Sequence, residues 1–135
     1  MISLQSVYRH PDHAVPFLYL LLSERTAEQS ISHSKMPTLR EHEDFYESKP
    51  YQCWYLILNK DNDSVGSIYL SKNREIGVFV LNKFQRRGYG RAAVEEMMRR
   101  WPGRFLANAN PVNTASQSLF MSIGFNHLQN TYSYG

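Results

Sequence analysis

Cysteine is almost missing from this chain. The single residue, Cys53, cannot form an internal disulfide. Long apolar runs are missing too. The longest, Val15-Pro16-Phe17-Leu18-Tyr19-Leu20-Leu21-Leu22, is interrupted by Pro16 and falls far short of the roughly 20 residues a membrane helix requires. The amino-terminal residues lack the basic region, apolar stretch and small-residue cleavage site of a secretory signal. These absences set the expectation of a soluble protein in a reducing cytoplasm, with no membrane partner. There is no internal repeat, low-complexity tract or linker, so residues 1–135 are expected to form a single domain. The charge imbalance is small: the net +3 suits an anionic ligand but is well below a nucleic-acid-binding signature. No zinc-ligand spacing, Ser-His-Asp pattern or metal-binding carboxylate cluster is present. The basic group Arg99, Arg100 and Arg104 reads as a solvated helix end, where cations are favoured.

What is present is a regular alternation of strand and helix patterns. Ile2 to Tyr8 alternates as a strand. His10-Pro11-Asp12 is a turn, and Asp12 is placed to cap a helix running to about Ser23, with Val15, Leu18, Leu21 and Leu22 on one face. The polar stretch from Glu24 to Met36 reads as a loop or a short helix. Thr38-Leu39-Arg40-Glu41 is a capping box opening a helix to about Glu47. Gln52 to Asn59 and Val65 to Leu70 read as a hairpin across Asp61-Asn62-Asp63, and Glu75 to Leu81 as the next strand. Val94, Met97, Met98 and Trp101 share one face of a helix that Pro102-Gly103 ends. A strand from Arg104 to Asn110 follows. Then comes a helix from Thr114 to Ile123 with Gly124 as its left-handed cap, and a last strand from Phe125. The order predicts an α/β (α+β) fold with helices on the faces of one sheet.

The most informative segment is Gln85-Arg86-Arg87-Gly88-Tyr89-Gly90-Arg91. It joins the strand from Glu75 to the helix from Ala92. A glycine-punctuated loop entering a helix aims main-chain N–H groups and the positive end of the helix dipole at one place. Gly88 and Gly90 let a phosphate approach the backbone, and three arginines add forked donors. A pyrophosphate is the expected guest. Gly88-Tyr89-Gly90-Arg91-Ala92-Ala93 also fits a dinucleotide fingerprint, but the acidic residue wanted at the end of the next strand is Asn108. A glycine turn with no ligand is the bland alternative.

Val78-Phe79-Val80, the Gln85–Arg91 loop, Asn113-Thr114-Ala115-Ser116 and Leu119-Phe120-Met121-Ser122-Ile123-Gly124-Phe125 together resemble the GNAT acetyltransferase superfamily over about residues 65 to 125. The resemblance implies a GNAT-like mixed, mostly antiparallel twisted sheet of about six or seven strands with about four helices. It also implies acetyl-CoA as cofactor and transfer of an acetyl group to the primary amine of a small molecule. The loop amides of Arg86, Arg87, Gly88, Tyr89, Gly90 and Arg91 would hold the coenzyme A pyrophosphate. Val78, Phe79 and Val80 would pair with the pantetheine arm along a splayed strand. Asn113 would contact the cofactor and also suits a helix N-cap.

Acetyl transfer needs a neutral amine, a polarised thioester carbonyl and a departing thiolate. A main-chain N–H near Phe79 or Val80 can serve the carbonyl. Glu75, at the start of the splayed strand, is the first candidate base, and in similar enzymes a carboxylate there works through a water. His42 is the second, with an ordinary pKa suited to proton transfer. The other family position for a base holds Asn108, which cannot serve, and nothing singles out His33. The family often places a tyrosine on the last helix to protonate the thiolate. Here that cofactor-side position holds Phe120, so transfer would be slowed rather than forbidden. Cys53, mid-strand and without a histidine partner in sequence, reads as structural rather than as an acetyl carrier.

The segment Ser32 to Tyr46 loosely resembles enzymes that acetylate amino groups of nucleotide-linked sugars, which places an amino sugar first as acceptor. A protein N-terminal amine and a non-catalytic acyl-CoA-binding module are the rivals. The short tail after Phe125 leaves the acceptor side open or completed by a second subunit in a homodimer, with Tyr132 and Tyr134 at its surface.

Overall fold

The computed structural model describes every residue except 29–35, 110–113, 130, 131, 133 and 135, and for 26–28 it describes only the backbone. The elements in chain order are β1 (Ser3–Ser6), α1 (Pro11–Glu28), α2 (Leu39–Glu47), β2 (Cys53–Leu58), β3 (Ser64–Leu70), β4 (Glu75–Val80), a short 3-10 turn at Asn82–Phe84, α3 (Tyr89–Arg100), β5 (Leu106–Ala107) and α4 (Thr114–Ile123). The strands form one sheet in the order β1-β2-β3-β4-β5. Neighbours are antiparallel through β4, and β5 lies parallel to β4. The expected class, a mixed and mostly antiparallel sheet flanked by helices, is the one observed. The sheet has five strands among the described residues instead of six or seven.

Strand alternation gives the sheet two apolar faces. Ile57, Ile68, Leu70 and Ile76 pack against Ala93, Val94 and Met97 of α3 and Phe120 of α4. On the other side Trp54 and Leu56 pack against Ala14, Phe17, Leu18 and Leu21 of α1 and Tyr46 of α2. In β4, therefore, Ile76 and Val78 face α3, while Phe79 faces α1. The capping box of α2 forms as its sequence predicts. The Thr38 hydroxyl accepts the Glu41 N–H at 3.1 Å, and the Glu41 carboxylate accepts the Thr38 N–H at 2.8 Å.

Several boundaries differ from the sequence expectation. Helix α1 starts at Pro11, so Asp12 lies inside its first turn and does not cap it. The His10 carbonyl receives the first N–H groups instead, from His13 and Ala14. Pro11 suits that opening position because it has no N–H to leave unpaired. The helix also continues past Ser23 to Glu28, since Glu24, Arg25 and Ala27 are good helix formers whatever their polarity. Of the strand expected over Arg104–Asn110, the described residues 104–109 form only Leu106–Ala107, and Asn110 lies outside the described residues. Residues 125–129 form no strand. The Phe125 N–H donates to the Phe120 carbonyl at 3.0 Å, and the two rings meet edge to face at 5.2 Å. That contact turns the chain back onto α4 after Gly124, whose φ of 118° only glycine adopts easily.

Candidate active site

Strands β4 and β5 pair over only two positions, Glu75 with Leu106 and Ile76 with Ala107, although β4 continues to Val80. The exposed edge this leaves on β4 has a defined polarity. The Ser71 N–H donates to the Glu75 carbonyl and the Leu81 N–H to the Val65 carbonyl. By the alternation of an antiparallel ladder, the odd residues of β4 bond to β3 and the even ones turn outward. Val78 and Val80 thus present main-chain groups to the gap, while the Phe79 amide is committed to Ser67 across the ladder. Of the two residues considered for an oxyanion donor, Val80 has the available N–H. Its carbonyl accepts the Gln85 side-chain amide at 3.1 Å.

Beside this gap stands the amino end of α3. Arg86 and Gly88 both take left-handed φ values, 65° and 83°. For Arg86 that conformation costs about 1 kcal/mol. Among the described residues, no main-chain N–H from Arg86 through Arg91 donates a hydrogen bond within the protein. Arg86 and Arg87 are exposed, and the Arg87 guanidinium lies 5.6 Å from the Phe84 ring. Arg91 leans away, to Glu95 at 3.5 Å and the Ser122 hydroxyl at 3.1 Å. Tyr89 packs edge-on against Phe84. A Cβ on Gly90 would meet Leu119, Val80 and Val78 at ordinary contact distances of 3.7 to 4.0 Å. The protein's own packing therefore does not require glycine there, whereas a ligand lying on the backbone would. Asn113 falls outside the described residues, as does His33.

The base candidates are separated. Glu75 is half-buried at the closed end of the fork, and the Asn108 side-chain amide donates to its carboxylate at 2.5 Å. Asn108 thus stands as a hydrogen-bond partner of the first base candidate. His42 is buried on α2, with Nε2 donating to the Val15 carbonyl at 3.0 Å and its ring 5.2 Å from that of Tyr19. That bond leaves the Nδ1 lone pair as the acceptor. Phe120 is a core residue on the α3 side, 7% exposed, against Phe125. Cys53 lies on the same α3 side, its thiol 3.7 Å from the Met97 sulfur, and burial raises its pKa.

On the opposite face of the sheet a cleft opens between α1, α2 and the strands. Arg25, His42, Tyr51, Trp54, Tyr69 and Phe79 line it. Tyr51 and Tyr69 stack nearly parallel with centroids 3.9 Å apart. Burial above all raises both phenol pKa values, so both remain neutral donors. The Arg25 guanidinium lies 3.6 Å above the Phe79 ring. Sequence reading passed over Arg25, Tyr51 and Tyr69. One signal was available: Leu18, Leu21, Leu22 and Arg25 continue the apolar stripe of α1, which puts a charge where the pattern calls for a core residue.

An acetyltransferase (GNAT) domain family model matches residues 6–126. No curated protein matches the sequence. Among solved structures, a domain from Methanocaldococcus jannaschii aligns with a TM-score of 0.81 at 19% identity, covering 97% of this chain and 92% of that one. Spermidine N-acetyltransferase from Vibrio cholerae, solved with CoA and spermine, aligns at 0.78 and 14% identity, covering 95% and 82%. A phosphinothricin acetyltransferase from Sinorhizobium meliloti, solved with AcCoA, aligns at 0.72 and 16%, covering 93% and 74%. At these identities the likeness is one of fold.

Proposed function

Because the chain belongs to the GNAT acetyltransferase family, we propose that it moves an acetyl group to the primary amine of a small molecule, an amino sugar first among them, by direct transfer in a ternary complex. It is an acyltransferase and its cofactor is acetyl-CoA. The observation that carries the mechanism is the parting of β4 from β5 beside the unbonded amides of Arg86 to Arg91. In this reading those amides, with the Arg86 and Arg87 side chains, take the pyrophosphate. The outward main-chain groups of Val78 and Val80 take the pantetheine arm, and the Val80 N–H supports the carbonyl oxygen as it gains charge. Asn113 completes the cofactor side. The amine enters from the α1 and α2 face. Glu75, held by Asn108, receives its proton through a water, with His42 as the second acceptor on that face. The thiolate leaves on the side of Phe120, which has no proton to give, so water supplies it. The protein acts in the cytoplasm. Among the described residues, no helix is long and apolar enough to cross a membrane.

Calorimetric titration with acetyl-CoA tests the cradle before any acceptor is known. Arg87→Ala, which removes a charge-assisted contact to an anion, is expected to weaken binding about tenfold, and Gly90→Val, which adds a branched side chain at the cradle, by about the same factor. With acetyl-CoA and a panel of amino sugars, the protein should release free thiol, and Glu75→Gln should slow release at least about tenfold. The burial of a phenylalanine where the family often has an acid gives one rival reading specific support, a non-catalytic acyl-CoA-binding module. Cofactor binding without thiol release from any amine would favour it. Absence of cofactor binding would overturn both.

A further inference from the structure

The cleft on the α1 face contains one formal charge that nothing in the acetyl-transfer reading uses. Arg25 is held largely out of water, its guanidinium flat on Phe79, and burial lowers its pKa. Among the described side chains no carboxylate pairs with it, and none lines the cleft. The described cleft walls are otherwise apolar or aromatic, apart from the Ser67 hydroxyl, His42 and the two stacked phenols. A guanidinium withdrawn from water and stacked on a ring keeps its edge N–H donors free for a planar or tetrahedral oxyanion. It also repels a second cation in a medium that screens poorly. The ring beneath it, Phe79, sits between Val78 and Val80, the residues whose main chain faces the β4–β5 gap. An anion on Arg25 would therefore be separated from that gap by the Phe79 side chain.

We propose that Arg25 is the specificity anchor of the acceptor site, and that the acceptor is a primary amine which also carries an oxyanion, a carboxylate or a phosphate, seated on the guanidinium between Phe79 and the Tyr51–Tyr69 pair. The inference rests on the acetyl-transfer reading for its chemistry, and it narrows the acceptor. Amino sugars bearing a phosphate or carboxylate fit, as do amino acids. Polyamines are disfavoured, because the described cleft lining offers a second ammonium a cation and no carboxylate, and Glu75, whose charge reaches Tyr69, takes the proton of the reacting amine.

The test uses matched amines that differ only in the anion: glucosamine 6-phosphate against glucosamine, and a set of α-amino acids against their amides. Thiol release from acetyl-CoA by the wild-type protein is expected to favour the anionic member of at least one set by about 10- to 100-fold in kcat/KM, the range of a charge-assisted hydrogen-bond pair. The set that responds identifies phosphate or carboxylate. Arg25→Gln should erase that preference by raising KM for the anionic amine with kcat little changed, the mark of lost ground-state binding. The neutral partner should change far less than the anionic one. Arg25→Lys, which keeps the charge without the fork, should recover part of it. If Arg25 only covers Phe79, its substitution will lower thermal stability and shift both members of a pair equally, and the proposal fails. It also fails if the wild-type protein shows no preference within any pair. Should no amine release thiol, the acetyl-transfer reading falls separately. The anchor is then judged by direct titration of the same pairs, where equal binding of anionic and neutral members overturns it and selective, Arg25-dependent binding upholds it.

Discussion

A Cβ at position 77 would lie 2.3 Å from the Tyr69 ring. The missing methyl is what lets that ring lie across β4 and stack on Tyr51. Gly77→Ala must therefore push Tyr69 outward and separate the pair. The cost expected from overpacking is about 1–3 kcal/mol. It is read as a lower midpoint in chemical denaturation, with loss of turnover because the cleft wall moves. The same two phenols give the protein an alkaline limit. Their folded-state pKa values are raised, chiefly by burial and, for Tyr51, next by the Tyr69 neighbour. A group whose pKa is raised on folding contributes stability that is fully present below its unfolded value of about 10 and is lost as pH rises through the folded value. Absorbance at 295 nm should show these two phenols within a late-titrating group that also includes Tyr8 and Tyr46, whose pKa values burial likewise raises. Melting temperature should begin to fall above about pH 10, and Tyr51→Phe should remove one of the late phenols.

At the scale of elements, the legible parts were those whose local sequence and tertiary role agree. Thr38 and Glu41 cap α2 because a capping box needs only its own four residues. Val94 and Met97 face the sheet because the period of α3 leaves them no other place. The Gln85–Arg91 loop was legible because glycine spacing and helix onset coincide there. What failed depended on partners distant in sequence. The strand expected at Arg104–Asn110 has strand-like residues, yet it pairs only where Arg74 holds it. The Arg74 guanidinium donates to the carbonyls of Arg104 at 2.9 Å and Trp101 at 2.8 Å, and the Leu106 N–H donates to the Arg74 carbonyl at 2.9 Å. Over the described residues 125–129 no strand forms, and Phe125 packs on Phe120 instead. Arg25 escaped notice because a charged residue on an apolar stripe is ordinarily a helix-end solvation device, and only the folded cleft shows otherwise. The amino end of α3 separates structural from ligand demands on glycine. Gly88, at φ 83°, is required by conformation, but Gly90 has helical geometry and room for a methyl. Gly90→Ala should leave the melting temperature unchanged or slightly higher, since alanine exceeds glycine in helix propensity by about 1 kcal/mol. It should still weaken acetyl-CoA binding in a calorimetric titration. A large loss of stability would mean the loop is glycine-rich for its own folding.

At the scale of the whole molecule, the proposed reaction divides between the two faces of the sheet. The cradle and the gap-facing groups of β4 lie toward α3, while the cleft with Arg25, His42 and the tyrosines lies toward α1 and α2. On that reading two ligands arriving from opposite sides would meet only at the parted edge, so both would have to be bound at once. A double-displacement route would instead need a nucleophile at that edge to carry the acetyl group between visits. The one cysteine is badly placed for this. Cys53 packs against Met97 on the α3 face, its partner strand is β3, and burial holds its thiol in the unreactive protonated form. Cys53→Ala should therefore leave turnover within about twofold, as a substitution outside the reacting groups. Initial rates measured over a grid of acetyl-CoA and amine concentrations should give intersecting reciprocal lines, in the wild type and in Cys53→Ala alike. Parallel lines, or a burst of free thiol before any amine is added, would mark a covalent acetyl-enzyme and place the acyl group on a residue that the two-faced architecture does not supply.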